Sequence, residues 1–260
     1  MAHIVIYFCC FKKSEVIIVL SFKEVLYQKR HGDSLMSDPA AVLFSFAYVA
    51  VVLGVAELIR RNLELKKDFT RKFVHVAIGT YIIPTFYIFH SLYYALVPPV
   101  VFIIVNILSY RFKLFRAMEE EGGRNLGTML FPISFCVVMI IFWNKGVDSV
   151  AAMLGILVMA WGDAAASIIG RNFGTHYYYF FRERKSFEGS IAMFVASYVI
   201  LAITLTMWGH PKLDVYEMAM VAFFTSLVGT FLEAISARGL DNLIVPICSS
   251  FVAYILIKLF

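Results

Sequence analysis

Eight apolar runs, each about as long as a bilayer is thick when coiled as a helix, fill most of residues 40–259, and nothing else in the chain restricts its fold so strongly. They fall at 40–59, 73–90, 92–109, 126–143, 147–166, 190–208, 215–235 and 241–259. Hydrocarbon offers the backbone no hydrogen bonds, so each run must satisfy its own N–H and C=O groups. The expectation is an all-α, polytopic transmembrane helix bundle of about eight spans, or seven if two short neighbours form a re-entrant pair. Composition agrees, because 61% hydrophobic residues, 16% charged residues and a mean hydropathy of +0.79 exclude an ordinary soluble domain of 260 residues. Cys9, Cys10, Cys136 and Cys248 have no metal-ligand spacing and indicate neither a disulfide framework nor a zinc site.

Residues 1–38 fit this pattern poorly and read as an N-terminal extension ahead of one integral-membrane domain at 39–260. The apolar runs Ile4–Phe11 and Val16–Phe22 are too short to span and are separated by Lys12, Lys13 and Glu15. Met36, just before the first convincing span, is a candidate natural start. Charge then orients the bundle. Arg60, Arg61, Lys66, Lys67, Arg71 and Lys72 fall in the first connection, Arg111, Lys113, Arg116 and Arg124 in the third, and Arg171, Arg182, Arg184 and Lys185 in the fifth. The intervening connections carry only Lys145 and Lys212, which places the odd connections in the cytoplasm or its topological equivalent. The formal charge of +5 therefore reports topology and contact with anionic lipid, not nucleic-acid binding.

The polar residues inside or beside spans gather at that same face. Arg71, Lys72 and His75 open the second span, Asn125 and Thr128 the fourth, and Asp163 closes the fifth. Glu188 precedes the sixth, Glu233 ends the seventh, and Asp241 and Asn242 begin the eighth. Each has a plain structural alternative: basic residues anchor spans, a histidine can be hydrogen-bonded in the interior, Asn and Ser cap helices, and glycines end them. Asp163 is the hardest to read that way, since a carboxylate beside Ala-Ala-Ala-Ser in a span is costly and contributes little to packing. The stretch Trp161–Ser190 combines that carboxylate with Arg171, Arg182, Arg184, Lys185, several glycines and a fresh helix start. Those are the parts that hold a nucleoside triphosphate with its divalent cation. Tyr177–Phe181 suits an interfacial aromatic belt or a cover over a lipid entrance.

The ordered set Arg71-Lys72 with His75, Asn125-Leu126-Gly127-Thr128, Gly162-Asp163-Ala164, Gly170-Arg171-Asn172-Phe173-Gly174, Lys185-Ser186-Phe187-Glu188-Gly189-Ser190 and Asp241-Asn242-Leu243 with Pro246 resembles the membrane lipid-alcohol kinases. That family includes phytol kinase, dolichol kinase and CTP-dependent diacylglycerol kinase. A more distant likeness is to phosphatidate cytidylyltransferase, whose His-Gly-Gly signature with a following Asp-Arg is absent. The resemblance implies a transferase that moves the γ-phosphate of CTP to a membrane prenol such as phytol, geranylgeraniol or dolichol, or to diacylglycerol.

The expected catalytic group is Asp163, Lys185, Arg71, Lys72 and His75, with Asp163 or His75 as base. Phosphate contacts are expected from Gly170, Arg171, Gly174, Lys185, Ser186, Gly189, Asn125 and Thr128, the loop after Gly170 and the helix start near Ser190 contributing backbone N–H groups. Mg²⁺ is expected on Asp163 with Glu188 or Glu233, and Asp241 and Asn242 are further candidates. Partners are the lipid alcohol and the nucleotide, and neither the acceptor nor the oligomeric state is legible in the residues. Nucleotidyl transfer and a non-enzymatic transporter are the alternatives, although a transporter would place its charges along a path through the bilayer.

Overall fold

Helices account for most of the described residues, as a polypeptide surrounded by hydrocarbon requires. The structure is a computed structural model that describes residues 35–63, 67–112, 127–144, 146–181, 183–208, 213–237 and 239–260. The extension expected at 1–38 falls almost wholly outside these residues, as do Asn125 and Arg182. In chain order the helices are α1 (Asp38–Leu63), α2 (Lys67–Thr80), α3 (Ile82–Ile88), α4 (Leu92–Phe112), α5 (Gly127–Ile141) and α6 (Val147–Leu157). A π-helical turn, Val158–Gly162, joins α6 to α7 (Asp163–Phe173). After a hairpin of β1 (Tyr177–Phe180) and β2 (Glu183–Ser186) come α8 (Phe187–Trp208), α9 (Val215–Ala234) and α10 (Asp241–Leu259).

The α6–π–α7 rod is the axis of the bundle. Side chains from Val150 to Ala160 are buried on every face, because α2, α8 and α10 all pack around this segment. A helix apolar all round belongs at such a centre. The outer helices instead present large apolar residues to their surroundings, among them Leu43 on α1, Ile104 on α4, Val195 on α8 and Phe231 on α9. Five helices are long and apolar enough to cross a bilayer: Asp38–Asn62, Val147–Phe173, Phe187–Trp208, Val215–Ala234 and Asp241–Leu259. Leu92–Leu108 and Met129–Ile141 are shorter apolar helices.

Two expected boundaries move. The run at 73–90 is not one helix, because Pro84 has no N–H to give Thr80 and its ring crowds that carbonyl; α2 stops at Thr80 and α3 begins at Ile82. The fifth run does not end at 166 but continues to Phe173, where polar residues extend the helix beyond its apolar part. The expected loop after Gly170 is thus the last turn of α7. Small residues explain the extension: Gly170 and Gly189 face each other so closely that a Cβ on Gly189 would lie 2.9 Å from the Ala166 carbonyl oxygen and 3.3 Å from Gly170 Cα. Backbone contact of that kind locks α7 to α8.

The hairpin is the only β structure among the described residues. Tyr177 pairs with Ser186 and Phe180 with Glu183 in antiparallel register, and Phe181 takes a left-handed φ of 42° at the turn.

Candidate active site

Asp163 stands at the first position of α7, directly after the π turn. A π turn holds one residue more than the regular spiral, and without it the face carrying Asp163 would be rotated by about 100°. As built, the carboxylate meets α2: Lys72 Nζ donates to Asp163 Oδ2 at 2.5 Å, and His75 Nε2 lies 3.8 Å from the same oxygen. Lys72 and His75 reach Asp163 from one side of α2, since residues three apart share a helix face. The His75 ring packs against Phe131 of α5, with centroids 4.1 Å apart. Its Nε2 is buried and makes no hydrogen bond. A second junction, between α2 and the rod, is a hydrogen bond of 3.0 Å from Trp161 Nε1 to Thr80 Oγ1.

A second ion pair faces the same space. Lys185, at the end of the hairpin, donates to Glu233 Oε1 at 2.8 Å and also to the Glu233 carbonyl oxygen. Glu233 is in the last turn of α9, where carbonyls lack intrahelical donors and attract cations. Both pairs are withdrawn from solvent, with side-chain exposures of 11% and 13% for Lys72 and Asp163 and of 13% and 11% for Lys185 and Glu233. Removing one member of such a pair strands the other, which costs about 3–5 kcal/mol, whereas the intact pair adds little net stability. Stability alone therefore does not account for these pairs, which points to use of the charges. Arg184, two strand positions from Ser186, lies 3.6 Å over the centre of the Tyr177 ring.

One cavity of about 610 Å³ joins these groups. Arg71, Lys72, His75, Asp163, Arg171, Lys185, Ser186, Glu233, Asp241 and Asn242 all line it, together with Gly127, Gly170 and Gly189. That volume falls within the roughly 300–1,000 Å³ range of small-molecule sites. Residues separated by as much as 171 positions, from Arg71 to Asn242, thus meet in one place. Thr128 lies in the first turn of α5, one residue from the lining residue Gly127, and Asn125 is outside the described residues.

Three expected roles look different in the structure. Glu188 turns away from the cavity: its Oε1 accepts from Thr175 Oγ1 at 2.7 Å and from the His176 N–H at 3.1 Å, and stands 2.7 Å from His176 Nδ1. It fastens the approach to the hairpin onto the start of α8 and is not among the residues that line the cavity with Asp163. Gly174 does not line the cavity; its N–H bonds to the Gly170 carbonyl at 3.2 Å and it lets the chain leave α7 tightly against Ser186. Ser186 caps α8, its Oγ accepting from the Gly189 N–H at 3.1 Å, although it also borders the cavity. Sequence reasoning missed the Tyr177–Arg184 stack, the Tyr178–Ser190 hydroxyl pair at 2.7 Å, and the apolar lining residues Val74, Ile78, Phe102, Phe131 and Pro132. Hairpin register alone brings Tyr177 to the cavity and sets Tyr178 against Ser190, and the apolar residues carry no signal that separates them from the rest of a span.

The carboxylate set bears on a metal ion. Among the described residues no three His, Cys, Asp or Glu side chains form a metal cage. Mg²⁺ does not need one, since it is commonly held by one or two carboxylates plus phosphate oxygens and water. Asp163 and Asp241 fit that requirement; both border the cavity, and Asp241 makes no ion pair among the described residues.

No protein-family model and no solved structure matches the chain. Curated relatives do. The chain is 31% identical over 215 residues to the phytol kinase of Synechocystis sp., covering 82% of this chain and 90% of that protein. It is 26% identical over 242 residues to phytol kinase 1, chloroplastic, of Arabidopsis thaliana, covering 86% and 78%. A dolichol kinase of Schizosaccharomyces pombe is 30% identical over 131 residues, which is 49% of this chain and 25% of that protein. An all-helical membrane bundle with paired buried cations and carboxylates, and relatives of this closeness over most of its length, lead to one conclusion: the chain belongs to the membrane lipid-alcohol kinase family, enzymes that transfer phosphate to an alcohol group.

Proposed function

We propose that this protein is a CTP-dependent prenol kinase, taking phytol or a comparable isoprenoid alcohol from the bilayer and releasing the alkyl monophosphate and CDP. The observation that carries this reading is the single cavity in which Lys72, Arg71, Arg171 and Lys185 face Asp163 beside a wall of apolar side chains. Cations suit a triphosphate and the apolar wall suits a hydrocarbon. The names of the relatives, phytol kinases among them, favour an isoprenoid acceptor. CTP as donor follows from the family resemblance.

Phosphoryl transfer of this class passes through a loose transition state, so positioning and charge neutralisation supply most of the acceleration. Lys72 and Lys185 are held in place by their carboxylate partners before any nucleotide arrives, and Arg71 and Arg171 border the same space. These cations face the charge that develops on the γ-phosphate oxygens. The acceptor oxygen forms the new P–O bond as the bond between the γ-phosphorus and the β–γ bridging oxygen breaks. The hydroxyl proton passes to Asp163 or His75, and CDP leaves with the electron pair of the broken bond. Asp163 and Asp241 are the side chains that would hold Mg²⁺, which would supply positive charge to offset that of the phosphates. The positive-inside distribution of the loops supports a cytoplasmic face, or its equivalent, for this chemistry.

Incubation of the purified protein with γ-labelled CTP and a panel of lipid alcohols tests the reading. The expected result is label in a prenyl monophosphate, CDP in equal amount, and loss of turnover on chelation that added Mg²⁺ restores. Release of pyrophosphate with cytidylate retained on the lipid would overturn it in favour of nucleotidyl transfer.

A further inference from the structure

The cavity has two chemically distinct halves, and one helix face runs through both. Arg71, Val74, His75 and Ile78 recur at the three- and four-residue spacing that aligns side chains along α2. Seven residues of helix are about 10 Å long, so over that distance the wall changes from guanidinium through imidazole to aliphatic. Phe102 of α4 and Phe131 and Pro132 of α5 complete the apolar half. The charged half adjoins Lys72 and Asp163, and the apolar half leads towards Thr80, with the buried side chains of α3, including Phe86, next in the chain.

The packing leaves a way in from the side. α2 rests on α1, the π turn, α6 and α7, while α4 rests on α1 and α5, and among the described residues α2 and α4 make little or no contact with each other. Beyond Phe102, α4 turns Ile104, Val105 and Ile107 outward, as a lipid-facing surface would. Where the two halves meet lies His75 Nε2, buried and without a hydrogen bond, 3.8 Å from Asp163 Oδ2. A buried polar atom left without a partner costs free energy, and here one more hydroxyl would satisfy it.

We infer that the acceptor's hydrocarbon chain lies in the cleft between α2 and α4, along Val74, Ile78 and Phe102, with its hydroxyl between His75 Nε2 and Asp163. The inference rests on the prenol-kinase reading for the identity of the chain and on the cleft alone for its place. The stretch of wall is short, so the enzyme discriminates among alcohols by shape near the hydroxyl; carbons further along project from the cleft into the bilayer. Ile78 and Phe102 are therefore specificity residues, and alcohols alike in their first isoprene units but different in total length are used at similar rates.

Two measurements on the full-length protein in detergent or vesicles test this. In the first, a prenol carrying a diazirine near its hydroxyl is photolysed with the protein without nucleotide, and the labelled peptides are sequenced; label on residues 74–78 and at Phe102 is expected. In the second, Ile78→Trp and Phe102→Ala are assayed with phytol, farnesol and an unbranched alcohol, beside Ile140→Trp on the outward face of α5. Ile78→Trp is expected to raise KM for phytol roughly tenfold or more with the KM for CTP unchanged. Phe102→Ala is expected to narrow the preference for the branched alcohols, and Ile140→Trp to behave as the wild type. Label confined to other helices, or an alcohol KM untouched by both substitutions, would overturn the cleft assignment. Label in the cleft with no phosphate transfer to any alcohol would keep the cleft and overturn the kinase reading instead.

Discussion

Two helix junctions in this bundle are built in opposite ways. Between α7 and α8, Gly170 and Gly189 bring backbone to within contact, and Ser186 fills the remaining corner. Between α2 and α4 large side chains stand apart around a space. The closed seam sets where Asp163 and Lys185 sit, because one opens α7 and the other is separated from α8 by Ser186 alone. The open cleft leaves room beside them. Rigidity is thus concentrated where charges must be held, and space is left where a flexible chain must enter. Without a hydrophobic driving force between helices in lipid, such a division has to come from small residues on one side and their absence on the other.

The contrast breaks most completely at Asp163, which opens α7 and meets Lys72 and His75 of α2. Asp163→Asn should lower phosphate transfer by roughly a hundredfold to a thousandfold, with the helical content of the purified protein unchanged, as turnover and circular dichroism would show. Next is Lys185→Met, which removes a phosphate-facing cation and leaves Glu233 buried without its partner. It should raise the KM for CTP and cost about 3 kcal/mol or more in unfolding free energy. Gly189→Ala sharpens the comparison from the seam. Its Cβ would press on the Ala166 carbonyl, so a loss of about 1–3 kcal/mol, read as a lower unfolding midpoint, is expected, whereas Ile78→Ala in the cleft should change alcohol KM more than stability. At the bottom of the scale stands Glu57→Gln. Glu57 forms paired contacts to Arg60 and Arg61, each 2.6 Å, on a solvent-facing end of α1, and their loss should leave turnover and the unfolding midpoint within error.

Some of this was legible in the sequence for direct physical reasons. Apolar runs separated by basic connections give a helical bundle because lipid permits little else, and a carboxylate in a span, Asp163, stands out because its cost is high. Lys185, Arg71, Lys72, His75, Asp241 and Glu233 were nominated from residue type and place, and the structure brings them to one cavity. Other parts were not legible. Glu188 has the same charge as Glu233 and the same position near a helix end, yet Thr175 and His176 take its carboxylate. Gly170 reads equally as a phosphate loop or as a seam between helices until Gly189 is seen against it.

The amino-acid order by itself determined that the chain is a membrane-embedded bundle and which polar side chains are too costly to be there without a use, since both follow from transfer free energies that act residue by residue. Which cation meets which carboxylate was decided only by the tertiary structure. An extra residue in the π turn before Asp163, a proline that stops α2 at Thr80, and two glycines that let α7 touch α8 set distances of a few ångströms between segments far apart in the chain. Pairing, orphaned nitrogen and open cleft all depend on those distances, and no local property of the sequence encodes them.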